Sequence, residues 1–258
     1  MIDTHSHIDG TEFDADRAEV IARAKAAGVS KIFLPAIDLP SIERVLKLSG
    51  DYPGYCYPMI GLHPEEVKAD WQAVLEQMQQ QLQQHPDTFI AIGEVGLDFY
   101  WSREYEKQQL AAFEAQVEWS VSTQLPLMIH CRKGQQEMVR ILRRYESYLP
   151  GGVFHCFTGN EKEAAELLQF SKFVLGIGGV LTFKKSHLPE VLPQIPLDRI
   201  VLETDSPYMS PVPKRGERNE SSYVQYVEAK MAACYQLLPE RISEITDENV
   251  RRVFRLCE

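Results

Sequence analysis

The chain has 258 residues, of which 44% are hydrophobic and 25% charged, and its net charge is −10 at neutral pH. This composition is typical of a globular protein with a sizeable core. No apolar run is long enough to cross a bilayer. The excess of acidic over basic residues argues against an extended basic face that binds duplex nucleic acid. A short nucleic-acid end could still bind if metal ions supplied positive charge. With no leader before the first residues, we expect a cytoplasmic protein without membrane contact or an obligate protein partner.

The cysteines are odd in number and never occur as Cys-x-x-Cys, which argues against a disulfide framework or a zinc ribbon. They are Cys56, Cys131, Cys156, Cys234 and Cys257. Cys131 and Cys156 each follow a histidine inside a predicted strand. Because successive strand side chains point to opposite faces, we expect both thiols to point away from those histidines and to be buried.

Short apolar, β-branched runs recur along the chain and predict eight strands. They cover residues 2–8, 31–37, 56–63, 89–97, 125–131, 152–157, 173–180 and 199–205. Several are almost continuously hydrophobic, as strands of a parallel sheet buried on both faces are. Amphipathic stretches between and after them predict helices at residues 14–27, 41–48, 71–84, 103–123, 135–148, 162–170, 187–192, 223–237 and 247–256.

Eight alternating βα units in a chain of this length predict an α/β fold with a single domain over residues 1–258, a (β/α)8 TIM barrel. The alternative is a seven-stranded or open doubly wound sheet. The glycine-rich run at 176–179 falls inside a predicted strand and lacks the helix-opening context of a dinucleotide-binding turn. The most loop-like segment, residues 206–220, follows the eighth strand and could lie over the active face.

Most of the histidines, together with two acids, lie in or at the carboxyl ends of predicted strands. They are His5, His7, His63, Glu94, His130, His155 and Asp205. The carboxyl ends of barrel strands meet at one mouth, so these side chains should gather there although they are far apart in the chain. Without His63, four histidines and two carboxylates are too many for one tetrahedral ion and suit two ions that share a bridging carboxylate and a bridging water.

Each of these residues also has an ordinary structural explanation. A single strand-end histidine such as His63 is more often a hydrogen-bonded polar group than a ligand. Glu94 could cap the following helix, and Asp205 could hold the proline-rich loop through backbone N–H groups. The gathering as a whole favours a metal site, because buried acids at the mouth of an apolar barrel need cations.

Six motifs in this order resemble those of the TatD-like metal-dependent hydrolases, often described as TatD deoxyribonucleases, within the amidohydrolase-type barrels. The motifs occupy residues 3–9 (Asp-Thr-His-Ser-His-Ile-Asp), 61–64 (Gly-Leu-His-Pro), 91–100 (with Gly-Glu-Val-Gly-Leu-Asp), 126–132 (ending His-Cys-Arg), 155–159 (His-Cys-Phe-Thr-Gly) and 202–207 (Leu-Glu-Thr-Asp-Ser-Pro). The resemblance implies two divalent metal ions, with Zn²⁺, Mg²⁺ and Mn²⁺ as candidates. It implies that His5 and His7 bind the first ion, that His130 and His155 bind the second, and that Glu94 bridges them.

The resemblance further implies that Asp205 binds the first metal and handles the proton of the attacking water. It implies that His63 and Arg132 contact a phosphate of the substrate. Family members are described as metal-dependent deoxyribonucleases, commonly 3′→5′ exonucleases, and some resemble deacylases of D-aminoacyl-tRNA. We therefore expect hydrolysis of phosphodiester bonds in single-stranded DNA, starting at a nucleic-acid end.

Other functions stay open at this point. The same water could attack another ester, an amide or a phosphomonoester; phosphoesterases of the PHP class also open with a His-x-His strand, although the motif around Glu94 points away from them. A non-catalytic scaffold that binds nucleic acid or protein is the third hypothesis. The loops differ from the family pattern, with Lys133 in place of a common acid and Ser221 in place of a frequent proline. The aromatic residues 99–101 either stack on a base of a single strand or pack their loop.

Overall fold

The computed structural model describes residues 1–256, in which eight strands alternate with helices. The strands are β1 (Ile2–Asp3), β2 (Lys31–Pro35), β3 (Cys56–Met59), β4 (Ile92–Asp98), β5 (Leu127–Arg132), β6 (Gly152–Phe154), β7 (Phe173–Ile177) and β8 (Ile200–Leu202). The α-helices are α1 (Arg17–Ala26), α2 (Leu39–Asp51), α3 (Trp71–Gln84), α4 (Glu106–Thr123), α5 (Gln135–Tyr145), α6 (Glu161–Leu167), α7 (Leu188–Val191), α8 (Val224–Tyr235) and α9 (Pro239–Phe254). Within this part of the chain, no helix has the length and apolar character needed to cross a membrane.

The strands are all parallel and follow one another around a closed barrel. Strands β1 to β3 form one sheet and β4 to β8 another. Parallel bridges between Ile60 and Ile92 and between Ser6 and Ser206 join the two sheets at both seams. The (β/α)8 TIM barrel is therefore confirmed, and the open-sheet alternative is wrong.

The barrel is filled at its amino-terminal end by one side chain from each strand or its immediate flank. This layer consists of Ile2, Phe33, Met59, Ala91, Met128, Val153, Val174 and Val201. Helix α9 covers the layer with Val250, Val253 and Phe254, and the Phe254 ring meets the Phe33 ring edge-on at 4.8 Å. Neighbouring strand residues point outward to a second apolar cluster beneath the helices. Because one end is plugged, polar strand-end residues can reach solvent only at the other.

Several predicted boundaries are wrong. Strand β1 ends at Asp3 rather than residue 8, and β7 ends at Ile177, so that the glycine-rich run leads into a 3-10 turn at Gly179–Thr182. Helix α9 begins at Pro239, well before residue 247, because proline fits the first helical turn, where no N–H donor is required. Cys56, Cys131, Cys156 and Cys234 are free thiols, as expected, and Cys257 lies outside the described residues.

Gly96 of β4 offers a test of how closely β4 and β5 approach. It has φ +149°, and a Cβ there would lie 1.8 Å from the His130 carbonyl oxygen. We expect Gly96→Ala to lower the free energy of unfolding by at least about 2 kcal/mol, measured by urea denaturation. The control is Gly50→Ala in α2, where a Cβ meets nothing within 4 Å. This substitution should raise the free energy of unfolding by about 0.5–1 kcal/mol, because alanine favours the helix more than glycine does. Equal stability of the two variants would contradict this packing.

Candidate functional site

The carboxyl ends of β1 and β8 are joined by hydrogen bonds that continue beyond both strands. The Asp205 N–H donates to the His5 carbonyl at 2.9 Å, and the His7 N–H donates to the Ser206 carbonyl at 2.8 Å. Side chains therefore still alternate past the end of β1, and the two Nε2 atoms of His5 and His7 lie 3.2 Å apart. The His5 Nε2 also lies 3.9 Å from Asp205 Oδ1. The structure thus brings the two ends of the predicted site together.

Buried side chains reinforce the same seam. Asp3 accepts hydrogen bonds from the Thr204 N–H at 2.9 Å and from the Thr204 hydroxyl at 2.7 Å. Ser221, which stands where the family often has proline, donates its hydroxyl to that of Ser6 at 3.1 Å. Burial raises the pKa of Asp3 to about 7, although these hydrogen bonds oppose the shift. The departure at Ser221 therefore adds a polar contact to the seam that carries His5.

Glu94 reaches the mouth from an irregular stretch of β4. The pairing of β4 with β5 shifts register between Ile92 and Val95, and such a bulge re-aims the side chain that it contains. A Cβ on Gly93 would lie 2.4 Å from the Met128 Cβ, so only glycine allows this approach. The glycine before Glu94 in the motif is thus explained by the distance between two strands.

The Glu94 carboxylate lies between two pairs of imidazoles. Its Oε2 is 3.1 Å from His5 Nε2 and 3.4 Å from His7 Nε2. Its Oε1 is 3.1 Å from His130 Nδ1 and 3.5 Å from His155 Nε2. The two pairs are those that the family resemblance assigns to separate ions, and each faces one oxygen of the carboxylate.

The electrostatics of the two central acids differ. Burial alone would raise the pKa of Glu94, but the surrounding imidazoles lower it well below its usual range, although burial and the neighbouring His155 lower the pKa of His5 itself. Burial raises the pKa of Asp205, and the imidazoles of His155 and His7 only partly offset that effect. Glu94 is therefore held as a carboxylate, whereas Asp205 takes up a proton more readily than an exposed aspartate.

Two buried acids, to which the sequence analysis gave no role, stand behind the second pair of histidines. Asp98 Oδ2 lies 2.8 Å from His130 Nε2, and Glu203 Oε1 lies 3.1 Å from His155 Nδ1, although that N–H does not point directly at the oxygen. Burial opposes protonation of both rings, but the neighbouring carboxylates raise the pKa of His130 to about 9 and that of His155 to about 10. Each acid also turns the opposite ring nitrogen toward the mouth.

His63 lies beside the site, and a backbone contact fixes its tautomer. Its Nδ1 accepts the Glu65 N–H at 3.2 Å, so the neutral ring carries its proton on Nε2, which lies 3.5 Å from Glu94 Oε1. A protonated Nε2 donates to an anion and has no lone pair for a metal. Arg132 reaches the same mouth, with its guanidinium 3.5 Å from the centre of the Tyr100 ring. Both residues are placed to contact an anion.

The donor set fits divalent cations. Within the described residues, four groups have ligand atoms within 4.8 Å of one another, and three of them lie around Glu94 and Asp205: His5–His7–Asp205, His5–Glu94–His155 and His63–Glu94–His130. The tautomer of His63 argues against a ligand role in the third. The Nε2 atoms of His5 and His7 face each other, and at most one of them can donate a hydrogen bond to the other. If both nitrogens are unprotonated, a cation can accept both of their lone pairs at once. Mixed imidazole and carboxylate ligands suit Zn²⁺, Mn²⁺, Co²⁺ and Fe²⁺, and accept Mg²⁺ weakly.

The thiols that follow His130 and His155 are not arranged as predicted. Cys131 and Cys156 are only partly buried. Strand β6 ends at Phe154, and Cys156 has φ +49°, so the alternation of strand side chains has already stopped. The Cys156 sulfur lies within 4.8 Å of ligand atoms of His155 and Glu203. The prediction that it points away from the histidine is wrong for this reason.

Left-handed backbone is concentrated at the mouth and at helix ends. Lys133, Cys156 and Asp205, with φ between +49° and +60°, each stand at or directly after a strand-end residue of the site. Gln124, Gln236 and Arg255 have similar angles and end helices α4, α8 and α9. A non-glycine residue in this region costs about 1–3 kcal/mol. Outside the helix ends, left-handed backbone thus falls beside the strand ends of the site and at Met209, in the loop after β8.

The chain is similar to proteins of one family along its whole length. The family model for TatD-related DNases matches residues 2–255. The metal-dependent hydrolase YabD of Bacillus subtilis (strain 168) is 37% identical over 257 residues, which is 99% of both chains. The 3′-5′ ssDNA/RNA exonuclease TatD of Pectobacterium carotovorum (strain PC1) is 34% identical over 262 residues and 100% of both chains. The crystal structure of YjjV, a TatD homologue from Escherichia coli, superposes with a TM-score of 0.92 at 30% identity, covering 100% of this chain and 98% of that one.

The raised pKa values of His130 and His155 predict that metal binding releases protons. Both imidazoles are protonated at pH 7 in the metal-free protein, because their pKa values are about 9 and about 10, and a metal ion needs the neutral ring. The apparent affinity for Zn²⁺ or Mn²⁺ should therefore rise from pH 7 towards pH 9. Calorimetric titration in buffers of different ionisation enthalpy should detect the released protons.

A pair of variants controls this prediction. Asp98→Asn removes the charge that raises the pKa of His130, so binding should release fewer protons and weaken about 10- to 100-fold. Asp87→Asn, on the exposed surface, should match the wild type. Binding heats that do not depend on the buffer would contradict the proposed protonation.

Proposed function

Because the chain belongs to the family of TatD-related DNases, we propose that it is a metal-dependent nuclease that hydrolyses single-stranded DNA as a 3′→5′ exonuclease. The proposal treats residues 1–258 as one catalytic domain. The observation that carries it is the position of Glu94 between two pairs of histidines, beside Asp205. The full-length similarity to a 3′-5′ ssDNA/RNA exonuclease supports the choice of substrate.

The proposal assigns two divalent cations to the site. His5 and His7 would hold one, His130 and His155 the other, and Glu94 would give one oxygen to each. When bound, such ions supply Lewis-acid chemistry, which stabilises charge on phosphoryl oxygens and makes water easier to deprotonate. Zn²⁺, Mg²⁺ and Mn²⁺ are the candidates.

Asp205 would orient the attacking water and accept its proton. Its Oδ1 lies 3.9 Å from the Nε2 atoms of both His5 and His7, so it also belongs to the first metal position. Burial raises its pKa, which brings this carboxylate closer to the basicity that proton transfer near neutral pH requires. A base within reach of the water, on the same side as the metal, is the geometry that hydrolysis needs.

Arg132 and His63 would bind the scissile phosphate. The guanidinium offers several N–H donors in one plane, and the protonated Nε2 of His63 lies at the same mouth, 3.5 Å from Glu94 Oε1. Donors fixed in position before the reaction stabilise charge that develops on phosphoryl oxygens. These two residues therefore hold the phosphate, while Asp205 handles the proton.

The substrate class is tested with end-labelled oligonucleotides in the presence of Mg²⁺, Mn²⁺ or Zn²⁺. A 5′-labelled single strand should shorten one nucleotide at a time from its 3′ end, and a phosphorothioate at the last linkage should block the start. A fully paired duplex should react more slowly. Activity confined to nitrophenyl phosphates or aminoacyl esters would favour the alternative, a hydrolase of another phosphoester or ester.

Asp205→Asn tests the proposed base. Asparagine tolerates the φ of +57° at this position and removes the proton acceptor. We expect kcat on the oligonucleotide to fall by a factor of about 10² to 10⁴, while the protein still folds and binds metal. The control is Asp198→Asn, an exposed position before β8 at the opposite end of the barrel, which should keep wild-type activity. Near-normal turnover by Asp205→Asn would rule out the assignment.

A further inference from the structure

The three aromatic residues after β4 divide into one that packs and two that face solvent. Phe99 is 6% exposed and is covered by the Arg103 guanidinium, 4.7 Å from its ring centre. Tyr100 is 48% exposed and Trp101 is 74% exposed. Loop packing therefore accounts for Phe99 and leaves the exposure of the other two unexplained.

The exposed pair is tied directly to the metal-binding mouth. Asp98 Oδ1 accepts the Tyr100 N–H at 2.9 Å, while its Oδ2 contacts His130 at 2.8 Å. The Arg132 guanidinium stacks on the Tyr100 ring at 3.5 Å, and its central carbon is 5.6 Å from the centre of the Trp101 ring. The Trp101 ring stands edge-on to Tyr100 at 4.7 Å. The indole is thus held at a defined place beside the site.

Tyr100 and Trp101 form a ridge between two cavities of different charge. The first, of about 370 Å³, has Tyr100, Arg132, Lys133 and one acid in its walls and reaches the histidine that directly follows β6. The second, of about 310 Å³, has Trp101 in its wall with three acids, including Glu65, and one lysine. A phosphate is attracted to the first cavity and repelled from the second, whereas a neutral base can enter either.

We propose that Trp101 is the platform on which a nucleobase of the single-stranded substrate stacks, with the phosphates on the side of Arg132 and Lys133. This inference rests on the proposed nuclease function. Stacking on an aromatic ring does not depend on base identity, because every base has a π-face. Stacking also lets an acidic protein bind a polyanion without an extended basic surface.

Trp101→Ala should raise KM for a single-stranded oligonucleotide about 5- to 10-fold, with a smaller effect on kcat, because stacking contributes to binding rather than to the chemical step. Trp101→Phe should recover most of the loss. The matched control is Tyr148→Ala, which removes another exposed aromatic residue, 68% exposed, after α5 at the opposite end of the barrel. This control should keep the wild-type KM.

Abasic oligonucleotides identify the stacked base. One base at a time is removed from the last few positions of the strand, and each oligonucleotide is tested with wild type and Trp101→Ala. At the position that stacks, the difference in KM between the two proteins should largely disappear, because the partner of the indole is gone. An equal difference at every position would overturn the proposal.

Fluorescence gives a second readout on the metal-loaded protein. The chain has three tryptophans: Trp119 is buried, Trp71 is partly buried against the core, and Trp101 is the exposed indole. Binding of a non-cleavable phosphorothioate oligonucleotide should therefore quench the emission of wild type much more than that of Trp101→Phe. If the wild type cleaves oligonucleotides but Trp101→Ala retains its KM, this inference fails and the nuclease function stands. If the wild type cleaves no oligonucleotide, both fail.

Discussion

The requirement that a buried carboxylate be neutralised governs this structure. Glu94 is 2% exposed and faces four imidazoles, and an isolated buried charge would be far too costly. In the metal-free protein, protonated imidazoles neutralise the carboxylate, as the lowered pKa of Glu94 and the raised values of His130 and His155 indicate. Under the proposed function, bound metal ions would supply positive charge in place of these protons. The site could then exchange protons for cations without rebuilding its framework.

The barrel keeps these groups in place by separating apolar from polar strand residues along its axis. One end is filled by the apolar layer that α9 covers, so stability is concentrated there. At the other end, hydrogen bonds through Asp3, Ser6 and Ser221 close the seam between β1 and β8 that carries His5 and His7. This end also carries strain, with left-handed backbone at Cys156 and Asp205. Burial at the plugged end compensates for strain at the mouth.

The sequence predicted the features that depend on pattern and missed those that depend on side-chain orientation. Apolar runs located all eight strands, and the rule that strand ends meet at one mouth correctly predicted that the candidate ligand side chains lie together. The roles of Asp98 and Glu203 were missed, because an acid within a motif does not reveal which ring nitrogen it will face. The placement of Cys156 was wrong because a single left-handed residue ended the alternation. Such local backbone choices are set by tertiary contacts rather than by residue type.

Charge distribution bears on why a strand end would be the preferred substrate. The chain carries a net charge of −10, so most of its surface repels a polyanion. Positive charge at the mouth comes from Arg132, Lys133 and the metal ions of the proposed site. A strand that enters by its end brings few phosphates close to this point, whereas an internal segment brings phosphates on both sides of the scissile bond close to a protein of negative net charge. Under the proposed function, the acidic surface would itself favour ends over internal positions, and aromatic stacking would supply binding energy that charge does not.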